Sequence, residues 1–566
     1  MADGLRQRAL KLKERARLHG DESRHEQTDS WSNRDLVPLP YDRRKWGWFH
    51  FFGYWTLAAL NILNWQMPNT FLTQGLSVGQ SMLIIVIGRF LIMLFATLIA
   101  WCGIRWHIGF TIQNRFSWGM RGSYIPLLQR VMLNFIWAAV NCWNGGRLAA
   151  VCITAIWPSF TTMNNFLPES MPTTGYQFVG FIIFWTLSTP FLFIKPENFI
   201  HPFLMTSICT ALSMLCIMIW ALATAKGTGP LWTTGQTVPA SAEWNPSWLI
   251  MGGINQMIGG IAAGITNGSD FSRYARSGKD YVVGTFLCCW IAGVLVSFCG
   301  LVTTSAAQKI YGEIYWNPPD LLMVMMDNGN GSSASRAGVF FLSLGFALAA
   351  MFENICGNAV AGGIDLAGLF PHYINIRRGA IITFAAVWIV QPWQLINKAT
   401  TFVSVLSSFA VFLSPLMGIM AADYYVLRKQ RIRLSHLYRS HETSYWYWHG
   451  FNWRAIPAWL CGWAPTVGGL IVTVNAVADA PRALYELYYM AFLIGFFTSA
   501  IIFLALTWLF PISGLGEIDP TDEYGAFTLG EASKLGMEPS NNTVQGRQDS
   551  DTLSEVASPG DLEKSA

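Results

Sequence analysis

Stretches of about twenty apolar residues recur along this chain, roughly at 49 to 73, 82 to 103, 125 to 157, 177 to 194, 203 to 224, 248 to 267, 280 to 304, 338 to 370, 379 to 396, 400 to 426, 455 to 477 and 486 to 510. A helix rises about 1.5 Å per residue, so each stretch is long enough to cross the roughly 30 Å hydrocarbon core of a bilayer. Lipid cannot satisfy a backbone N–H or C=O, and runs of this length meet that demand as helices. The expectation is an all-α integral membrane protein of about twelve transmembrane helices. Charge agrees: 12% of the 566 residues are charged, against about 25% in soluble domains.

Basic residues set the expected orientation. Arg105, Arg115 and Arg121, Lys195, Arg273, Arg276 and Lys279, Arg377 and Arg378, and Arg428, Lys429, Arg431 and Arg433 fall in alternate loops on the side of the amino-terminal tail. The opposite loops hold scattered cations such as Lys226, Lys309, Arg336, Lys398 and Arg482. By the positive-inside rule both termini are cytosolic. Residues 1–45 read as a polar cytosolic tail carrying the run Arg6, Arg8, Lys11, Lys13, Arg15 and Arg17, with no apolar core and therefore no cleavable secretory signal. Residues 46–511 read as the membrane domain, and the acidic, Ser-rich 512–566 as a disordered cytosolic tail.

Several function classes are excluded or unsupported. The net charge of +4 is small and scattered, which gives no nucleic-acid footprint. The ten cysteines, Cys288 and Cys289 among them, lie mostly in apolar runs without metal-ligand spacing. No metal or cofactor is expected. HExxH, GxSxG and Walker-type sequences are absent, so nothing points to an enzyme or an ATP-driven pump. Asn330, in an NGS sequence of an external loop, is a glycosylation acceptor by pattern, whereas Asn267 lies too close to the sixth apolar stretch.

Within the apolar stretch 337–380 stand Glu353, Asn354, Asn358 and Asp365. A carboxylate near a bilayer centre costs about 3 kcal/mol on insertion scales, so such groups face a partner or a watery cavity. At helical spacing Asn354, Asn358 and Asp365 fall near one face, with Glu353 beside it. Polar side chains of this kind serve either as glue between helices or as a ligand site. The flanking Gly357, Gly362 and Gly363 let a neighbouring helix come close.

Two stretches look broken. The first contains Asn61, Asn64 and Pro68, and the sixth runs MGGINQMIGGIAAGITNGSD. Irregular backbone at membrane depth persists where it lines a cavity or is covered by protein. Breaks in the first helix of each five point to a five-plus-five inverted repeat, about 49–224 and 248–426, with a site between the halves and two extra helices over about 455–510. In the third stretch Trp137 and Asn141 are four residues apart, so an aromatic face and an amide share one side of a helix. That pair suits a planar heterocycle, although a lone membrane tryptophan also serves as packing or an interface anchor.

The segments NRDLVPLPYDRRKW, NILNWQ, NGSDFSRYAR, DLAGLFPHYINIRRGA, QPWQLIN and FNWRAIPAWLCGWAP, with YGAFTLGEASKLGM in the tail, resemble the nucleobase-cation-symport-1 family, specifically its fungal uracil, uridine, allantoin and thiamine branch, from about residue 33 to 535. The resemblance implies the LeuT-type five-plus-five fold and a secondary active permease of the plasma membrane. It places Trp137 at the stacking aromatic of the third helix, Asn141 where nucleobase members carry Gln, and Asn358 at the substrate-binding Asn of the eighth helix; Asn354 joins them as a candidate contact. It also marks departures. Ile261 stands where the sodium-coupled bacterial relative has a second stacking tryptophan, and Thr206 where uracil permeases carry a lysine. Phe352, Glu353 and Asn354 replace Gly-Thr-Asn, losing the hydroxyl that matches a sodium ligand.

A single titratable carboxyl beside a cavity is suited to taking up and releasing a proton, so Glu353 is the expected proton carrier or the counter-ion to a cationic substrate. The leading expectation is a proton symporter importing a nucleobase or related heterocycle such as allantoin or uracil. The alternatives are an importer of thiamine or nicotinamide riboside, favoured by Glu353 and Thr206, and a nutrient receptor that binds without net transport. The partners expected are a small heterocycle, a proton and the bilayer; the sequence leaves the oligomeric state open.

Overall fold

The structure, a computed structural model, describes residues 31–33, 35–194, 199–235, 245, 247–396, 398–439, 442–475, 477 and 479–540. The basic run Arg6–Arg17, Lys195 and residues 541–566 lie outside the described residues. Ten helices among the described residues are long and apolar enough to cross a membrane: Val78–Trp106, Tyr124–Ile156, Gly175–Phe193, Leu204–Ala225, Ser247–Thr266, Gly278–Tyr311, Ser333–Leu369, Thr401–Leu427, Ala455–Val474 and Ala491–Leu509. The other two expected stretches differ: the first is divided into Trp48–Ala59 and Ile62–Thr73, and the ninth is the 15-residue helix Ile376–Val390. Of about twelve expected spans, ten therefore have membrane-crossing length in one helix.

The break in the first span follows from its side chains. Leu60 and Asn61 leave helical geometry, Asn61 being extended at φ −141°, and the Asn61 side chain accepts the Leu63 N–H as the cap of the second half-helix. Asn64 then donates its side-chain amide to the Ala58 carbonyl, meeting a backbone group that the break leaves open.

The sixth span is a correction. Its glycines do not break it: Ser247–Thr266 is one helix, followed after Asn267 by the single turn Gly268–Ser272. The glycines serve close packing instead. A Cβ on Gly259 would lie 2.7 Å from the Leu406 carbonyl of the tenth span, and one on Gly260 would lie 2.2 Å from the Met67 methyl.

The spans sort into two packed groups. The second lies on the sixth and the first on the seventh, while the third lies on the fourth, eighth and ninth; the tenth joins the sixth to the eleventh and twelfth. Gly363 gives the eighth and ninth their close approach, since a Cβ there would sit 2.4 Å from the Ile376 carbonyl. Large apolar side chains such as Ile389 and Trp508 remain more than four-fifths exposed, as lipid-facing positions do.

The expected tails depart from the structure over their described parts. Residues 512–540 are folded: Ala526, Phe527, Ala532 and Met537 are buried with Leu36, Trp106, Phe116 and Tyr438. Thr528 and Glu531 close a capping box on the short helix Leu529–Leu535. From the amino-terminal side, Arg44 holds Glu531 through two bonds of 2.9 and 3.0 Å and meets His107 Nε2 at 2.7 Å. A seven-residue helix has too little periodicity to show in sequence, and its partners lie hundreds of residues away.

Candidate functional site

The half-helices of the first span and the third, sixth and eighth spans enclose one cavity. Its lining includes Tyr54, Trp55, Asn61, Asn64 and Met67 from the first span and Trp137 and Asn141 from the third. The sixth adds Gly260, Ile261 and Asn267, and the eighth Glu353, Cys356, Gly357 and Asn358. Four of the sequence-expected residues thus meet at one place, and Ile261 faces them from the sixth span.

The eighth span is π-helical over Asn354–Ala359, immediately after Glu353. A π-turn lengthens the repeat and shifts the facing of the side chains that follow, a device frequent at functional sites. Asn354, expected as a substrate contact, does not line the cavity. It donates to the Ala138 carbonyl at 3.1 Å and to Cys142 Sγ at 3.2 Å, and its oxygen accepts the Asn358 amide at 3.0 Å. It is therefore a support for Asn358, pinned between the third and eighth spans.

Asp365 also leaves the expected face. It is fully buried in a cluster with Arg130, Asn134 and Asp270: Arg130 Nε donates to it at 2.6 Å, Asn134 at 3.0 Å, and Arg130 Nη2 reaches Asp270 at 2.6 Å. Asp270 in turn accepts the Phe110 N–H at 2.9 Å. This is the helix-to-helix glue that the sequence leaves open for such groups, here as ion pairs with extra hydrogen bonds.

Three buried polar atoms of cavity-lining residues have no partner among the described residues: Trp137 Nε1, Asn141 Oδ1 and Asn267 Oδ1. A buried polar atom without a partner costs about 1–3 kcal/mol, so each offers a hydrogen bond to whatever fills the cavity. Trp137 is 5% exposed, tilted at 53° to Phe409 with centroids 5.3 Å apart. Glu353 is the one acidic side chain in the lining and accepts a hydrogen bond from the Asn61 amide. Among the described residues no group of His, Cys, Asp and Glu could hold a metal ion. Thr206 is buried in the fifth span, donates to the Pro202 carbonyl at 2.7 Å and stays outside the cavity lining.

Asn61, Asn64 and Asn267 line the cavity as well, beyond the candidates expected from the sequence. The signal for the first two was the asparagine-rich break itself. A side chain that caps a half-helix at membrane depth sits where backbone irregularity lines a cavity.

Comparison with known proteins places this geometry. Residues 38–495 match the model of a family described as permease for cytosine/purines, uracil, thiamine, allantoin. Transporter aclS of Aspergillus oryzae is 34% identical, over 90% of this chain and 91% of its own length. Allantoin permease of Saccharomyces cerevisiae is 33% identical over 88% and 78%, and nicotinamide riboside transporter 1 of the same organism is 31% identical over 90% and 84%. The solved structure of Mhp1, a nucleobase-cation-symport-1 family transporter in a closed conformation with bromovinylhydantoin bound, has a TM-score of 0.66 at 20% identity, covering 89% of this chain and 99% of that one.

Proposed function

We propose a function from one premise: the chain belongs to the nucleobase-cation-symport-1 family, in its fungal permease branch, and is a multi-pass membrane transporter of LeuT-type fold. On our reading it is a plasma-membrane proton symporter with both termini cytosolic, importing a neutral heterocycle of the nucleobase or allantoin class. The observation that carries this reading is the cavity in which Trp137, Asn141 and Asn358 meet Glu353.

The ring stacks on Trp137, and its polar edge meets Asn141 and Asn358, with Asn267 opposite. Asn354 keeps Asn358 in place by taking up its amide. Glu353 carries the coupled proton, and its bond to Asn61 lets the proton act on the hinge of the first span. Substrate is enclosed and released as one packed group of spans rocks against the other.

A second reading, import of a cationic vitamin, is favoured by Glu353 as the one acidic lining side chain. Uptake of labelled allantoin, uracil, thiamine and nicotinamide riboside, in cells stripped of their own permeases and expressing this chain, decides between them. Accumulation of a neutral heterocycle that rises at acid external pH supports the proposal; surface occupancy without accumulation contradicts it.

A further inference from the structure

Behind the broken first span lies a buried cation that the transport reading does not use. Arg89, in the middle of the second span, is 1% exposed. A guanidinium stays charged in proteins, and a charge at membrane depth calls for compensation. None of the ion pairs among the described residues includes Arg89, and its Nε has no partner. Its Nη2 donates to Asn64 Oδ1, and the guanidinium also bonds the Cys289 thiol. Neither partner carries a carboxylate charge; the Cys288 thiol and the backbone at Gly293, where a Cβ would lie 3.1 Å from the guanidinium, complete its surroundings.

Asn64 lines the cavity three residues after Asn61, which binds Glu353. The break in the first span therefore carries two amides, each oriented by a charge. Glu353 accepts, so Asn61 turns its NH2 toward it and its oxygen to the Leu63 N–H. Arg89 only donates, so the Asn64 oxygen is taken by the guanidinium, and its NH2, one hydrogen of which goes to the Ala58 carbonyl, is the donor this lining residue keeps. The other fully buried carboxylates of the described spans, Asp270, Asp365 and Asp423, are already held, the first two by Arg130 and the third by Arg428. Glu353 and Arg89 thus stand on either side of one helix break, each bonded to one of its two amides.

We infer that Arg89 is a specificity-determining positioning residue: acting through Asn64, it offsets the Glu353 charge and makes the cavity select neutral, carbonyl-bearing heterocycles over cationic ones. This rests on the proposed heterocycle reading and narrows its substrate class. With Glu353 ionised the pair is neutral, and with Glu353 protonated it is positive. In neither state does a cationic ring meet net negative charge, whereas a carbonyl oxygen finds the Asn64 NH2.

The test uses the full chain purified into lipid nanodiscs, with ligand protection against thermal unfolding read for uracil, allantoin and thiamine. The wild type is expected to be protected by a neutral ligand at lower concentration than by thiamine. Arg89→Met shifts that concentration ratio toward thiamine by roughly tenfold or more. Asn64→Asp shifts it the same way, because the new carboxylate neutralises the guanidinium in place, and this second variant covers a failure of Arg89→Met to fold. Arg89→Lys restores the wild-type order. A ratio unchanged in a folded Arg89→Met or Asn64→Asp protein overturns the inference, as does a wild type that prefers thiamine or binds none of the probes. Absence of accumulation in cells contradicts the transport reading separately, since the protection ratio needs no net transport.

Discussion

Asn61 in the break of the first span donates its side-chain amide to Glu353, the last residue before the π-helical turn of the eighth. The contact crosses between the two packed groups of spans, and on the proposed reading a proton gained or lost at Glu353 is felt at the point where the first span is not helical. Transport coupling in this account is that single link.

Glu353→Gln keeps the shape and the capacity to accept from Asn61 but removes the titration. Uptake at acid external pH is expected to fall by roughly tenfold, equivalent to about 1.4 kcal/mol of lost coupling, and the remainder to be flat with pH. Surface expression, followed on a tagged protein, is expected to stay at the wild-type level.

Asn354 supports Asn358 without lining the cavity. Asn354→Ala leaves the buried Asn358 amide without the acceptor that holds it, a penalty of about 1–3 kcal/mol. The expected result is a KM for substrate raised roughly tenfold with the maximal rate little changed, measured by initial uptake rates across substrate concentration.

Trp137→Ala removes the aromatic face while Trp137→Phe retains one. An aromatic pair is worth about 0.5–1.5 kcal/mol beyond area, so the KM is expected to rise roughly threefold to tenfold for alanine and much less for phenylalanine. Equal losses in both variants would show that the indole N–H, not the ring face, is the contact.

The clasp of Arg44, His107 and Glu531 has its own pH signature. Burial opposes the Glu531 charge, but the Arg44 guanidinium and the Thr528 N–H outweigh it and lower the group to about 2. Burial, and then the Arg44 charge, lower His107 to about 3, so the folded ring is neutral. From pH 6.5 down to about 3 the unfolded chain binds a proton at His107 that the folded chain does not, and stability falls as pH falls. The Glu531 contribution is present above pH 4.5 and is lost toward pH 2. Thermal unfolding between pH 7.5 and 5 is expected to show the His107 slope, reduced in His107→Gln. Arg44→Ala is expected to cost about 2 kcal/mol at neutral pH, less than a fully buried pair because the Glu531 side chain is 36% exposed.

The membrane class and most spans were legible from apolar length alone, because the bilayer fixes how many residues a helix needs. Trp137 and Asn141 were legible as a pair because a regular helix brings residues four apart together. The same rule brings Asn354 beside Asn358, but its bonds to the Ala138 carbonyl and Cys142 of the third span, which hold it off the cavity lining, leave no mark in residue type. The sixth-span glycines read as a break, when they serve contact with Met67 and the tenth span. The clasp joins Arg44 to Glu531 across 487 positions, and no local pattern carries a pairing of that range.

The most direct test of the account is uptake of labelled allantoin and uracil at two external pH values by cells expressing the wild type or Glu353→Gln. The wild type is expected to accumulate at least one of them, more strongly at the acid value, and the variant to keep a pH-independent remnant. Identical pH dependence in both proteins, at equal surface expression, would contradict Glu353 as the coupling site.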